Sequence, residues 1–396
     1  MKRFKYVIVG AGMTADAAAA GIRKVDPNGS FAVIGDEADP PYDRPPLTKA
    51  LWKNKTVDDI WRRTASLRVE LALQRRVVQI RRDTKQVLDD HGESYGFEKL
   101  LLATGGTPRR LPVGGGDILY YRTLQDYRRL REIAATGSHF AVVGSGFIGS
   151  ELAAALTLNG KCVWLLSPTP GIGSRLFPAD LALTLSRYYE SKGVAIVSGN
   201  GLAAVQRVNG RYAVRLEDGT TLKVDAVVAG IGIEPNVKLA ADAGLATGNG
   251  IVVNEFLETS CPGIYAAGDV AEFHNPLLGK RLRVEHEDNA RAMGKAAGRN
   301  MAGEKTSYDY LPYFYSDLFD LGYEAIGETD PRLETISVWT EPYKKGVIFY
   351  LDRHRVRGLV FWNVWDAVPA GRELMAQAGP FDKGLLSDWV MRLPRG

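Results

Sequence analysis

The stretch Tyr6-Val-Ile-Val-Gly10-Ala-Gly12-Met-Thr-Ala15 combines a short apolar strand, a glycine turn and the start of an Ala-rich segment. In a βαβ unit the first glycine makes a tight turn and the second lets the backbone approach a phosphate. A small residue in the third place lets the helix pack closely on the strand. Because the N-terminus of such a helix binds pyrophosphate, we predict that Gly10, Gly12 and Ala15 hold a dinucleotide.

The same arrangement recurs in Phe140-Ala-Val-Val-Gly144-Ser-Gly146-Phe-Ile-Gly149. This second unit has glycine in all three places of the dinucleotide fingerprint, at Gly144, Gly146 and Gly149. Two units in one chain predict two dinucleotides bound at once, and electron transfer between a nicotinamide and a flavin is the usual reason. The predicted fold class is α/β, with two Rossmann-like domains in a glutathione-reductase-like arrangement and a C-terminal α+β domain.

The length of the chain, 396 residues, is too great for a single compact core. Four of the seven tryptophans follow residue 311, where short alternating strands also begin. We therefore predict a discontinuous FAD-binding domain at 1–112 and 243–310, an NAD(P)H-binding domain at 113–242 and a C-terminal domain at 311–396. Residues 221–228 are expected to form one strand, and a helix is expected to begin near Arg44.

Composition and charge argue against a nucleic-acid-binding protein and against a membrane-spanning one. The formal net charge of +4 is too small to indicate a nucleic-acid partner. No apolar segment approaches the ~20 residues that span a bilayer, and no signal peptide precedes the first strand. We therefore expect a cytoplasmic protein without membrane insertion, either a monomer or a homodimer.

The two cysteines, Cys162 and Cys261, form no pair motif and no metal-ligand spacing. A redox dithiol needs a cysteine pair, or one cysteine beside the flavin, and residues 44–49 contain none. We therefore expect no metal site and no disulfide-reductase chemistry, so that electrons leave the flavin directly. Cys162 lies in an apolar strand and is expected in the core.

A carboxylate about 20 residues beyond the glycine turn binds a ribose hydroxyl in such units. Asp36 stands at that place in the first unit, and its neighbour Glu37 is the alternative. In the second unit the corresponding strand ends at Ser167 without an acid. Ser167 and Thr169 can hydrogen-bond either a 2′-hydroxyl or a 2′-phosphate, and Arg175 either meets a phosphate or is an ordinary surface residue. The choice between NADH and NADPH therefore stays open.

The chain resembles the FAD-dependent NAD(P)H:ferredoxin and rubredoxin reductases that serve oxygenases, and the related apoptosis-inducing factor group. The resemblance covers almost the whole length, and its pieces 41–49 and 283–290 are the most specific. The matching pieces are YVIVGAG (6–12), PYDRPPLTK (41–49), LLATGGTPR (101–109), VVGSGFIGSELA (142–153), GIEPN (232–236), IYAAGDVAEF (264–273), RVEHEDNA (283–290), YFYSDLFDLGYEAIGE (313–328) and GLVFWN (358–363).

This resemblance implies three catalytic residues, Lys49, Glu151 and Tyr315. Arg44 and Lys49 would lie against the flavin and its pyrophosphate, and Lys49 would pair with Glu151. From the residues alone, Lys49 could equally be a surface lysine, and Glu151 an ordinary acid in the first turn of a helix. Tyr315 stands where related reductases often have a tryptophan that stacks near the flavin.

The resemblance also implies cofactor contacts at further strand ends and turns. Asp269 would hydrogen-bond the ribityl chain of the flavin. His286 is expected to position a cofactor, because hydride transfer to a flavin needs no side-chain base. The full set of these further contacts is Thr104, Gly105, Arg109, Gly232, Gly268, Asp269, Glu285 and His286.

These observations predict a flavoprotein that takes a hydride from NADH or NADPH onto FAD and passes electrons to a ferredoxin or rubredoxin. Two alternatives stay open: an NADH-sensing protein of the apoptosis-inducing factor type, and a reductase of quinones or other small oxidants. Arginine pairs such as Arg62-Arg63 would either form a basic docking surface for an acidic ferredoxin or lie scattered over the solvated surface.

Overall fold

The structure is a computed structural model that describes residues 2–393. These residues form two compact units. Unit 1 comprises residues 2–44, 56–107 and 234–312, and unit 2 comprises residues 45–55, 108–233 and 313–393. The three-domain division of the chain stays a prediction, since one compact unit can contain more than one domain.

Helices and strands are numbered along the described part of the chain. The α-helices are α1 Met13–Val25, α2 Leu124–Thr136, α3 Phe147–Leu158, α4 Ala179–Ser191, α5 Lys238–Asp242, α6 Glu287–Met301, α7 Val368–Ala376 and α8 Lys383–Met391. The strands are β1 Lys2–Val9, β2 Phe31–Ile34, β3 Glu70–Ala72, β4 Val77–Arg81, β5 Gln86–Asp89, β6 Ser94–Leu102, β7 Gly106–Pro108, β8 Ile118–Tyr120, β9 His139–Val143, β10 Cys162–Ser167, β11 Val194–Ser198, β12 Leu202–Val208, β13 Arg211–Leu216, β14 Thr221–Val224, β15 Ala226–Ala229, β16 Ile233–Pro235, β17 Ile251–Val252, β18 Ile264–Ala266, β19 Ala271–Asn275, β20 Lys280–Leu282, β21 Tyr313–Leu318, β22 Leu321–Gly327, β23 Glu334–Glu341, β24 Lys345–Asp352 and β25 Arg355–Trp362.

Unit 1 is built on a sheet with the strand order β3-β2-β1-β6-β5-β4, in which β18 also pairs with β6. Strand β1 runs parallel to β2 and β6, and β18 runs parallel to β6. The central residues Val7, Ile8 and Leu101 are fully buried. Such near-continuous apolar strands are typical of a parallel sheet that is covered on both faces.

Helices α1 and α6 of unit 1 approach each other backbone to backbone. A Cβ atom at Gly298 would lie 2.0 Å from the carbonyl oxygen of Ala18, and one at Gly294 would lie 2.5 Å from that of Thr14. Only glycine fits at these positions. The close contact fixes α1, and with it the glycine turn at its N-terminus, on the body of unit 1.

Unit 2 contains a parallel sheet with the strand order β11-β10-β9-β15-β8. It also contains the three-stranded antiparallel sheet β12-β13-β14 and the five-stranded antiparallel sheet β21-β22-β25-β24-β23. Helices α7 and α8 belong to the C-terminal part with that last sheet. The sheet of unit 1 also contains the antiparallel strands β4 and β5. The predicted α/β class, with two dinucleotide-type sheets and a C-terminal α+β part, is confirmed.

The single strand predicted over 221–228 is wrong, because the chain divides there at Asp225. Strand β14 ends at Val224 in the antiparallel sheet, and β15 begins at Ala226 in the parallel sheet. The Asp225 carboxylate accepts hydrogen bonds from the main-chain N–H groups of Ser138 and His139, both at 2.8 Å. These bonds draw the chain towards β9 and out of the antiparallel sheet.

The α-helix predicted to begin near Arg44 is also absent from the described residues. Residues 45–52 instead form two short 3₁₀ turns, Pro45–Thr48 and Ala50–Trp52. The carbonyl oxygen of Leu47 accepts from the Trp52 indole at 2.8 Å and from the Tyr121 hydroxyl at 2.5 Å. Side chains therefore occupy an oxygen that an α-helix would use internally.

Cys162 is exposed rather than in the core. It is the first residue of β10, and the strand becomes fully buried only towards its end. Within residues 2–393, no helix is both long enough and apolar enough to cross a membrane.

The substitution Gly298→Val tests the contact between α1 and α6. At an open helix position, replacing glycine raises helix stability by up to about 1 kcal/mol. Here the new side chain meets the Ala18 carbonyl, so we expect the free energy of unfolding to fall by about 1–3 kcal/mol. The matched control is Lys295→Val, which places the same side chain on the exposed side of α6. Calorimetry should show a lower melting temperature for Gly298→Val alone, and equal melting temperatures would contradict the contact.

Candidate functional site

The first glycine turn, in unit 1, has the shape that a dinucleotide requires. Gly10 has φ +106°, and a Cβ atom there would lie 2.1 Å from the carbonyl oxygen of Ala103. At Gly12 no described atom lies within 4 Å of the Cβ position, so the backbone stays open to a ligand. Ala15 is fully buried behind the turn. One glycine is thus needed for the fold and the other for access, which fits a bound pyrophosphate.

The second turn, in unit 2, repeats this division of roles. A Cβ atom at Gly144 would lie 2.5 Å from the carbonyl oxygen of Gly230, and one at Gly149 would lie 1.7 Å from that of Gly144. Gly146 has open space around its Cβ position in the described residues. This turn also fits a dinucleotide, at the N-terminus of α3.

The two acids at the end of β2 have different surroundings. The Asp36 side chain is 61% exposed, and it forms an ion pair with the exposed guanidinium of Arg76 at 3.7 Å. Glu37 pairs with Arg44 and accepts from the Tyr42 hydroxyl at 2.6 Å. Burial lowers the pKa of Arg44, but Tyr42 and Glu37 outweigh it and raise that pKa above its ordinary value. Asp36 is therefore the acid with a carboxylate available to a ribose, and Arg44 is a permanent cation.

A third glycine turn, at Gly268 in unit 1, lies among residues that the family resemblance implies as cofactor contacts. Gly268 has φ +78°, and a Cβ there would lie 2.2 Å from the Thr14 hydroxyl of α1. Arg283 donates to the main-chain oxygen of Asp269 at 3.0 Å and pairs with Glu285 at 2.6 Å. His286 precedes the first residue of α6 and makes no side-chain capping bond. Sequence reasoning missed Arg283, whose buried side chain links two of the predicted residues, Asp269 and Glu285.

Two further pairs hold strand ends in place. In unit 1, the Thr104 hydroxyl donates to the carbonyl of Asn236 at 3.0 Å, and the Asn236 amide donates back to Thr104 at 2.8 Å. The carbonyl of Gly105 accepts from the Asn236 main chain at 3.0 Å. In unit 2, the Arg109 main-chain N–H donates to the Gly232 carbonyl at 2.9 Å. Each of the four predicted positions thus contributes one main-chain group to these bonds.

The strongest feature of unit 2 is a buried ion pair between Lys49 and Glu151. Lys49 Nζ lies 2.6 Å from Glu151 Oε1. The lysine side chain is 12% exposed and the glutamate side chain 4% exposed. The structure therefore brings together two residues that are far apart in sequence and were predicted to pair.

Two hydroxyl groups complete the surroundings of the Glu151 carboxylate. The Thr48 hydroxyl donates to Oε2 and the Ser316 hydroxyl donates to Oε1, each at 2.5 Å. Sequence reasoning missed both residues. Each is the direct neighbour of a predicted site residue, Lys49 or Tyr315, and this adjacency was the available signal. With three donors, the buried carboxylate is satisfied and its orientation is fixed.

Aromatic rings cover the ion pair. Lys49 Nζ lies 5.0 Å from the centre of the Tyr315 ring, within cation–π distance. Burial, and next the Glu151 carboxylate, raise the pKa of Tyr189 and of Tyr323 well above the ordinary value. Both phenols therefore stay neutral at physiological pH, and Lys49 supplies positive charge beside Glu151.

The segment 45–55 is tied to the rest of unit 2 by hydrogen bonds to its main chain. Tyr121 donates to the Leu47 carbonyl at 2.5 Å and Tyr127 to the Leu51 carbonyl at 3.0 Å. Asn159, at the end of α3, donates to the Trp52 carbonyl at 3.0 Å. These bonds hold Thr48 and Lys49 over the same helix that carries Glu151.

Arg62 belongs to one of the arginine pairs that were assigned either to a docking surface or to a scattered solvated surface, and it has a structural role. Arg62 binds Asp16 at 2.6 Å and Asp43 at 2.5 Å, and its side chain is 16% exposed. Both acids belong to unit 1, as Arg62 does. Arg62 is a structural residue, and the docking role of the other pairs stays a prediction.

Two family models match the chain. One, described as pyridine nucleotide-disulphide oxidoreductase, matches residues 4–294. The other, described as the C-terminal domain of mitochondrion-associated apoptosis-inducing factor, matches residues 297–342 and 340–377. Together they span both dinucleotide turns and most of the C-terminal part.

Individual relatives agree with these matches. Apoptosis-inducing factor 1 of Dictyostelium discoideum is 35% identical over 421 residues, covering 95% of this chain and 79% of that protein. The ferredoxin–NAD(+) reductase component of the anthranilate 1,2-dioxygenase system of Burkholderia cepacia is 35% identical over 330 residues, 81% of each chain. In a covalent putidaredoxin reductase–putidaredoxin complex, the matched chain has a TM-score of 0.91 and 30% identity, covering 98% of this chain and 96% of that one.

A double-mutant cycle tests the ion pair. Lys49→Met leaves the Glu151 carboxylate buried without its cation, so we expect the free energy of unfolding to fall by about 3 kcal/mol. Glu151→Gln alone should also destabilise the protein, because Lys49 then loses its partner. The double variant should be more stable than the sum of the two losses predicts. Urea unfolding of the flavin-loaded protein measures all four free energies.

The control for this cycle is Lys55→Met, which removes an exposed lysine from the same segment. It should change the free energy of unfolding by less than about 0.5 kcal/mol. Strict additivity of Lys49→Met and Glu151→Gln would show that the two side chains do not stabilise each other.

Proposed function

Because the chain belongs to the pyridine nucleotide-disulphide oxidoreductase family, we propose that it is the reductase of a small iron–sulfur protein. It is an NAD(P)H-dependent flavoprotein that uses FAD, as this family and its ferredoxin reductases do. The acceptor we propose is a ferredoxin or rubredoxin, in keeping with the ferredoxin named for the Burkholderia relative and the putidaredoxin bound to the matched reductase.

The cysteines of the chain argue for direct electron transfer from the flavin. Its two cysteines are Cys162, in unit 2, and Cys261, in unit 1, and both are free. Neither belongs to the segment 45–55 that carries Lys49. A dithiol relay needs two cysteines within bonding distance, and both cysteines here are free, so the proposal routes no electrons through a disulfide.

The observation that carries the proposal is Lys49, a buried cation held by Glu151 and covered by Tyr315. When bound, FAD accepts a hydride and releases its electrons singly. We propose that Lys49 stabilises negative charge on the reduced flavin, because a fixed cation in a water-poor site acts strongly on nearby charge. Glu151, Thr48 and Ser316 set the position of that cation, and Tyr315 offers an aromatic face.

The glycine turns and their neighbours bind the two cofactors in this proposal. The turn at Gly10 and Gly12 holds the FAD pyrophosphate, and Asp36 accepts from its ribose. The turn at Gly144 and Gly146 holds the nicotinamide dinucleotide. The other proposed cofactor contacts are Arg44, Thr104, Gly105, Arg109, Gly149, Gly232, Gly268, Asp269, Glu285 and His286.

A second function is favoured by the C-terminal match to apoptosis-inducing factor. In that case the reduced flavin would remain in a long-lived complex with oxidised nicotinamide and alter the association state of the protein. Reduction of quinones or other small oxidants is a third outcome.

We also propose a cytoplasmic location, since the exposed thiol of Cys162 suits a reducing compartment. Cell fractionation tests this location.

The first test is anaerobic reduction of cytochrome c with a panel of small ferredoxins and a rubredoxin, using NADH or NADPH as donor. We expect one of these proteins to stimulate the rate at least tenfold, because electrons reach cytochrome c through it. Slow flavin reduction, a persistent long-wavelength absorption band and an NADH-dependent dimer would instead identify the sensing function. Rapid turnover with a quinone and none with any iron–sulfur protein would overturn the proposed acceptor.

The role of Lys49 is tested by Lys49→Ala in stopped-flow reduction of the flavin. Removal of one preorganised charge-stabilising group slows such steps by about 10²–10³-fold. The control Lys55→Ala removes an exposed lysine of the same segment and should react like the natural protein. An unchanged rate with a full flavin content in Lys49→Ala would remove this residue from the reaction.

A further inference from the structure

The two βαβ units that carry the glycine turns, called here the first and the second unit, can be compared position by position. In both, the first two strands pair in the same register. Ile34 pairs with Val9, the residue before Gly10, and Leu166 pairs with Val143, the residue before Gly144. Two and three residues after Ile34, the first unit has the acids at 36 and 37. Two and three residues after Leu166, the second unit has proline and threonine.

The second unit therefore lacks the group that selects NADH. A carboxylate at this place accepts from the 2′-hydroxyl of the adenine ribose and repels a 2′-phosphate. Residues 167–178 contain no Asp or Glu. The first acid beyond them is Asp180, at the start of α4, and it accepts from the Tyr343 hydroxyl at 3.2 Å.

A chain of hydroxyl groups occupies the position instead. The Ser145 hydroxyl, within the glycine turn, lies 2.8 Å from that of Ser167, which lies 3.2 Å from that of Thr169. The Ser174 hydroxyl donates to Thr169 at 3.1 Å. A main-chain bond of 2.9 Å from Gly173 to the Ser145 carbonyl holds the loop against the turn.

Arg175 follows this hydroxyl chain directly. The residue is exposed, and among the described residues it makes no hydrogen bond or ion pair. Ser167 is 2% exposed, whereas Thr169 and Ser174 are half-buried. The accessible end of this hydroxyl chain therefore consists of the hydroxyls of Thr169 and Ser174, next to the guanidinium of Arg175. These groups suit a phosphate dianion.

We infer that the second unit takes NADPH, with Thr169, Ser174 and Arg175 binding its 2′-phosphate. This rests on the proposed function, because it names the coenzyme of the same reductase. Hydroxyls bond a phosphate oxygen as readily as a ribose hydroxyl. Because no carboxylate stands here, nothing at this position repels the 2′-phosphate of NADPH. Arg175 attracts that phosphate, which NADH lacks. The Burkholderia relative is named for NAD(+), so the inference gives this chain a different coenzyme from the one in that name.

Binding of the oxidised coenzymes tests the inference without turnover. Isothermal titration of the FAD-loaded protein with NADP⁺ and with NAD⁺ should give a dissociation constant for NADP⁺ no larger than that for NAD⁺. Tighter binding of NAD⁺ overturns the inference and leaves the reductase function standing. If neither coenzyme binds, the proposed function itself fails.

Variants separate the two parts of the argument. Arg175→Ala should weaken NADP⁺ binding by about 10–100-fold, the value of a charge-assisted contact, and leave NAD⁺ binding unchanged. The matched control is Arg187→Ala, which removes an exposed arginine of α4 and should change neither. Equal binding of NADP⁺ by Arg175→Ala and the natural protein would show that Arg175 does not hold the phosphate.

Pro168→Asp places an acid two residues after Leu166, the place of Asp36 in the first βαβ unit, and should reverse the preference in favour of NAD⁺. Position 168 is exposed, and far-ultraviolet circular dichroism and flavin content establish that this variant is folded. A folded Pro168→Asp protein that still prefers NADP⁺ would contradict the inference, and Arg175→Ala tests it independently.

Discussion

The Glu151 carboxylate is the group on which the candidate site depends. It is 4% exposed, and a buried charge is costly unless it is paired and fully hydrogen-bonded. Thr48, Lys49 and Ser316 meet that requirement. These donors come from two separate stretches of the chain and Glu151 comes from a third, so satisfying one carboxylate also fixes the 3₁₀ segment, helix α3 and strand β21 relative to one another within unit 2.

The cation benefits from the same arrangement. A lysine on a flexible stem has no fixed position in water, but Lys49 lies between a carboxylate and the Tyr315 ring. Electrostatic stabilisation of a developing charge is strongest when the stabilising group does not have to reorganise. In the proposed function, the hydroxyls of Thr48 and Ser316 act on Lys49 through Glu151, as positioning residues. This division explains why neighbours of a reactive side chain matter as much as the side chain itself.

Steric exclusion organises the two cofactor turns. Gly10 and Gly144 are required because another strand's carbonyl fills the space of a side chain, while Gly12 and Gly146 face open space. The fold thus demands glycine at the first place, and ligand access demands it at the second. The two βαβ units also differ after their second strands, where an acid in one is replaced by hydroxyls in the other. A common scaffold can therefore bind two different dinucleotides.

Local sequence determined the α/β class and both glycine turns, because strand, turn and helix signals act over a few residues. It left the choice between NADH and NADPH open. Pairing of Lys49 with Glu151 was expected only through family resemblance, since no local rule connects positions so far apart. Tertiary structure alone decided the hydroxyl donors to Glu151, the division of 221–228 at Asp225 and the 3₁₀ turns near Leu47. Each depends on hydrogen bonds from distant residues to a carboxylate or carbonyl, which short-range patterns do not encode.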